Sequence, residues 1–155
     1  MNKPLQLILC CLLITACIPQ QASAQTPEIN KKIVEYVNSV KGKKVDRGEC
    51  WDLINEALNT SHAKWTPTTG FGKIIDPKKE EVFPGDVIAF EKVKVKRPGM
   101  LEDYPHHYAI VYEVKSKGAY IIIHQNSDGK RKVTTWDFDL ATVTKGKVTF
   151  FRPQE

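Results

Sequence analysis

Gly48-Glu49-Cys50-Trp51-Asp52-Leu53-Ile54-Asn55-Glu56-Ala57-Leu58-Asn59 is the stretch on which the reading of this chain turns. Trp51, Leu53, Ile54, Ala57 and Leu58 recur at the spacing of one helix face, which predicts a helix from about Glu49 to Asn59. Cys50 falls in its first turn, where backbone N–H groups lack helical partners and the positive end of the dipole favours an anion. Gly48 lets the backbone turn just upstream. A thiol placed there becomes a nucleophile once an imidazole stands beside it.

Upstream, Thr26-Pro27 opens another helix, with Ile29, Ile33, Val37 and Val40 on one face until Gly42. Lys43 to Gly48 is a polar connector carrying Asp46. Residues 60 to 85, rich in Thr, Pro, Gly and Lys, read as a long loop pinned by Trp65, Phe71 and Val82-Phe83. From there the texture is that of strands: Asp86 to Phe90, His107 to Tyr112, Ala119 to His124 and Lys147 to Arg152, with Lys130 to Thr135 as a further candidate. Lys92 to Arg97 reads as a lysine-protected edge strand, Pro98 to Pro105 as a flap, and Thr135 to Phe138 as a packing segment. Two helices followed by four to six strands predict an α+β fold, with helices on one face of a mostly antiparallel sheet.

The chain has 155 residues and four cysteines. Lys3, an apolar run from Leu5 to Ile18, Pro19 and Ala22-Ser23-Ala24 together read as a secretory signal peptide, residues 1–24, followed by a single domain over 25–155. The apolar run is shorter than the roughly 20 residues a membrane-spanning helix needs. Export to the periplasm or the medium is expected, with anchoring through a lipidated Cys17 as the alternative, because Ile14-Thr15-Ala16-Cys17 also resembles a lipobox. After a cut at Ala24 only Cys50 remains, so no internal disulfide is expected. The net charge of +5, or +4 without Lys3, is spread along the chain. It suits an anionic polymer such as the cell wall and is too small to suggest nucleic acid.

His107 opens one strand and His124 closes the next. A hairpin through Gly118 would bring the two rings to one end of the ladder. His107 is then the base for Cys50, and His124 the residue that orients it. His106 points to the opposite face, and His62 has no partners for chemistry. Adjacent histidines on a strand diverge and no paired-cysteine motif exists, so neither a metal nor another cofactor is expected.

Gly48-Glu49-Cys50-Trp51, Pro84-Gly85-Asp86-Val87-Ile88-Ala89-Phe90, His107-Tyr108-Ala109-Ile110-Val111 and Ile123-His124-Gln125-Asn126 follow the order of the papain-like NlpC/P60 and CHAP domains, which this chain resembles over about residues 45–152. A closer likeness, in Gly48 to Leu53 and in the His-Gln-Asn segment, is to the cysteine-proteinase-fold domain of fungal actin-patch, myosin-tail-interacting proteins. The resemblance implies Cys50 as nucleophile, His107 as base and His124 as the third polar member. That member is histidine in many NlpC/P60 domains and usually acidic in CHAP domains. Asp46, Gln125 and Asn126 are the candidates for oxyanion or supporting roles. The implied activity is cleavage of amide or peptide bonds, peptidoglycan peptides first among the substrates, by a monomer. A non-catalytic module that binds peptide or glycopeptide is the alternative.

Overall fold

The computed structural model describes residues 25–155 except Asp128, so the expected signal segment and Cys17 lie outside the described residues. Helix α1 (Glu28–Ser39) buries Ile29, Ile33 and Val37, and helix α2 (Cys50–Thr60) buries Leu53, Ile54, Ala57 and Leu58. These are the faces their periodicity marks out. Six strands form one antiparallel sheet in the order β1-β6-β2-β3-β4-β5. Their spans are β1 Lys73–Ile75, β2 Val87–Arg97, β3 Met100–Ser116, β4 Ala119–His124, β5 Thr134–Asp139 and β6 Val143–Arg152.

Successive strand residues face opposite ways, so the sheet has two apolar sides. Val87, Ile110 and Ile123 meet the two helices in one core. Ile88, Phe90, Ala109, Val111, Ile122, Phe138 and Phe150 form a second core on the other side. The fold is α+β, with helices on one face, as the chain's patterning implies.

Four details depart from the sequence reading. Lys92 to Arg97 is not an edge strand: it extends β2 between β3 and β6, with Val93 and Val95 buried. Pro98 to Pro105 is not a flap, because only Pro98 and Gly99 turn and Met100 already begins β3. Asp103 of that segment pairs with Lys94 at 3.2 Å, the counter-charge that lets a lysine-bearing strand sit inside a sheet. Pro105, which has no N–H to donate, stands opposite Lys92 (φ 52°) at a gap in the β2–β3 pairing, and β2 bulges there against β6. The long loop contains β1, and the last candidate strand lies further on, at Thr134 to Asp139.

Pro84-Gly85-Asp86 ties the layers together. Gly85 (φ 88°) passes so close to α1 that a Cβ there would stand 2.5 Å from the Asn30 carbonyl oxygen. The buried Asp86 carboxylate accepts from Asn30 Nδ2 (2.9 Å), the Phe83 amide (2.9 Å) and Arg152 Nη2 (2.9 Å). Burial pushes its pKa above the usual carboxylate range even with Arg152 beside it. Removing one partner strands the other. Asp86→Ala is therefore expected to cost about 3 kcal/mol in urea denaturation; a loss below about 1 kcal/mol would show that the pair contributes little.

Candidate active site

The start of α2 is held from several directions. Gly48 (φ 95°) packs so tightly that a Cβ would stand 2.7 Å from Arg131 Cβ. Glu49 and Asp52 form a reciprocal capping box, and Asp52 Oδ2 accepts the Glu49 amide at 3.0 Å. Burial acts to raise the Asp52 pKa, but the Glu49 amide and Arg47, 2.6 Å from Oδ1, together hold it below the usual range. Gln125, fully buried, accepts from the Val45 amide (2.7 Å) and donates to the carbonyls of Val45 (3.0 Å) and Glu49 (2.9 Å). Asn126 Nδ2 donates to Glu49 Oε2 at 2.6 Å. These two residues fasten the turn before the nucleophile position to the end of β4. Asp46 stands apart, exposed at φ 47° and 3.6 Å from Arg47, so it supports neither the thiol nor the turn.

Strand β4 ends opposite Ala109, at His124. The Val111 amide bonds to Asp86 on the β2 side. By alternation the Tyr108 amide points the other way, past the end of β4. The Cys50 thiol, half-buried, lies where it feels this amide together with those of Trp51 and Cys50 itself. The structure thus brings Cys50 next to the strand residue that follows His107.

His107 is an interior residue of β3, not a strand-opening one at the sheet edge, and its ring is buried on the face away from the helices. His124 is two register steps along on the same face. Their rings meet edge to face, with His107 Nε2 and His124 Nδ1 2.9 Å apart. Burial pushes the His107 pKa down to about 4. Burial, the His107 ring and the Arg97 charge push His124 down to about 3. Both rings are neutral at pH 7. His106 is exposed on the other face, and His62 is exposed at the end of α2.

The thiol departs from expectation in one respect. Burial pushes its pKa up, with Glu49 adding to the effect, and the three backbone amides offset this only in part. Among the described residues Sγ shares no hydrogen bond with either ring. In the resting state the thiol and both imidazoles are therefore neutral, and the thiol's contacts are with backbone amides rather than with the rings. Alkylation of Cys50 by iodoacetamide should be slow at pH 6 and climb only above the ordinary thiol range, about 8.5. A rate already at its plateau below pH 7 would contradict this.

Trp136 and its neighbours are the residues that sequence reasoning missed. Trp136 stacks on His124 (5.6 Å, 18° between planes), and the Arg97 guanidinium covers Trp136 at 3.7 Å. Only the alternation of β5 hints that Trp136 shares a face with Phe138, and nothing in the sequence aligns it with His124. A polar cleft of about 290 Å³, lined by residues 102–107 with Asn126 and Ser127, opens beside His107. A larger cavity, about 640 Å³, is lined by Phe83 and Tyr120 and includes none of Cys50, His107 or His124.

A helix-borne cysteine at the Tyr108 amide of an antiparallel sheet that also carries a buried histidine pair is an arrangement of the papain-like cysteine proteinase fold. Residues 19–155 match the model of the AIM3/BBC1 cysteine proteinase-fold domain, and the chain belongs to that family. No match was found among curated proteins. Similar solved structures include Ly7917 with the hydrolyzing product of MDP (15% identity, 80% of this chain and 62% of that one, TM-score 0.54). Another is NlpC2 from Trichomonas vaginalis (18% identity, 85% and 49% covered, TM-score 0.54). The chain spans 62% and 49% of these neighbours' lengths, less than two thirds of either, and at such identities the likeness is one of fold.

Proposed function

We propose that this chain is a cysteine hydrolase of amide bonds, acting on peptidoglycan peptides outside the cytoplasm. The observation that carries the reading is the buried His107–His124 hydrogen bond next to the Tyr108 amide that reaches the Cys50 thiol. His107 Nε2 is engaged by His124, which leaves Nδ1 as the nitrogen free to take a proton. For that, Nε2 carries hydrogen and donates to His124 Nδ1.

Cys50 Sγ attacks the carbonyl carbon as its proton passes to His107 Nδ1. The first-turn amides of Cys50 and Trp51, with that of Tyr108, are the donors at hand for the oxyanion. The C–N bond breaks, the amine leaves with the proton from His107, and a thioester remains. Water, deprotonated by His107, then cleaves the thioester, releasing the acid and restoring the thiol. Gln125 and Asn126 hold the helix start in place and take no part in proton transfer.

Support for the substrate comes from the modest positive charge, the signal-like first 24 residues and the MDP product in Ly7917. Incubating the 25–155 chain with soluble peptidoglycan fragments should release products with new amine and carboxyl ends, read by mass spectrometry. Fragments left intact at every pH between 5 and 9 would remove the hydrolase reading. The raised thiol pKa and the missing Sγ–imidazole hydrogen bond favour a second reading, a module that binds peptide or glycopeptide without cutting it. Saturable binding of uncleaved fragments would support that one.

A further inference from the structure

We propose that Arg97 is a positioning residue for the histidine pair, acting through Trp136. Its importance for turnover rests on the hydrolase reading; its hold on His124 does not. Three planar groups from three strands form a column: the Arg97 guanidinium from β2, the Trp136 indole from β5 and the His124 imidazole from β4. The last ring meets His107 Nε2 with its Nδ1.

Arg97 is itself fixed. Its Nε lies 3.2 Å from Glu102 Oε2, its Nη2 donates to the Asp137 carbonyl at 3.2 Å, and Glu102 accepts the Tyr104 hydroxyl at 2.8 Å. The Tyr104 ring packs on both His107 (5.4 Å) and Trp136 (5.3 Å). The far end of the β2–β3 hairpin thus folds over β5 and clamps the back of the site.

The chemistry gives this clamp a task. A base is ordinarily oriented by a carboxylate that accepts its N–H. Here the acceptor is a neutral imidazole, which works only as the tautomer with a bare Nδ1 and fails once Nδ1 is protonated. Stacking sets the plane of the ring, and a cation behind Trp136 opposes a second charge on it. The charged and titratable groups around His124 are His107 on β3, Arg97 on β2, and Glu102 and Tyr104 on β3. Asp137 on β5 sends its carboxylate outward to Lys115 at 2.8 Å. Glu102 offsets part of the Arg97 charge and leaves the rest facing the indole.

The test compares Arg97→Gln, Arg97→Lys and the control Lys96→Gln by ¹⁵N imidazole NMR, together with kcat/KM against pH on any fragment that is cleaved. Loss of charge in Arg97→Gln should raise the protonated fraction of His124 at pH 5 about tenfold and move the acid limb of the profile to higher pH. Arg97→Lys keeps the charge but not the planar stack; it should keep the wild-type protonation and lower kcat with little change in KM. Lys96→Gln should match wild type. Unchanged His124 signals and an unchanged profile in Arg97→Gln, even with lower thermal stability, would mean that the clamp is structural only and would overturn the proposal. If Arg97→Gln does not fold, a Trp136→Leu protein with wild-type His124 protonation and tautomer would overturn it equally. A wild-type protein that cuts nothing would end the hydrolase reading, while the NMR comparison would still decide what Arg97 does to His124.

Discussion

Cys50→Ala is expected to lower turnover on any cleaved fragment by about 10,000-fold or more. The sulfur forms the only covalent bond to substrate in the proposed reaction, and no neighbouring side chain can replace it. His107→Gln should follow closely, with a loss of about 1,000-fold, since it deprives the thiol of its base. The two losses should not add in the double variant, because residues of one relay fail together. Neither change should unfold the protein: Cys50 is half-buried at a helix start that Glu49, Asp52 and Gln125 hold without it. Thermal denaturation checks that point. Full activity in Cys50→Ala would end the hydrolase account.

The second large effect is on stability in acid. In the fold the pKa values of His107 and His124 lie at about 4 and about 3, whereas in the unfolded chain a histidine takes its proton near 6.5. Below about pH 6.5 the unfolded state therefore binds more protons than the native state, and stability falls as pH falls. The stability is fully present above that pH and is lost down to about pH 4, where His107 alone has cost on the order of 3 kcal/mol. That is a large share of the 5–15 kcal/mol typical of a domain. Asp52, whose pKa is lowered, loses its contribution only beneath the ordinary carboxylate range. Asp86, whose pKa is raised, has the opposite sign, and its contribution grows as pH falls. Urea denaturation from pH 7.5 to 4.5 should show a steep decline in wild type and a shallower one in His107→Gln. Equal slopes would mean that the rings are not buried neutral.

Much of this was legible in the chain because it rests on local patterns. The spacing of Ile29, Ile33 and Val37, and of Leu53, Ile54, Ala57 and Leu58, marks both helices, and Gly118 marks the hairpin that brings His107 and His124 to one face. The outer half of the β2–β3 hairpin was hidden because its stability is not local. Lys94 reads as an edge residue until Asp103 is seen across from it, and Pro105 reads as a break until the bulge at Lys92 is seen opposite. With Lys92 to Arg97 read as an edge strand and Pro98 to Pro105 as a flap, nothing places Arg97, Glu102 and Tyr104 behind His124. Gln125 is a supporting candidate in the sequence, but its role as a clamp depends on a buried amide meeting Val45 and Glu49, 80 and 76 positions away. The helix dipole pointed to a stabilised thiolate, but burial of the sulfur outweighs it.

Peptide mapping of a quenched reaction tests the central claim most directly. In a mixture that is releasing product, rapid acid quenching and mass spectrometry should find the acyl part of the substrate on the peptide bearing Cys50. Steady product release with Cys50 unmodified, or an acyl group on any other residue, would contradict the account.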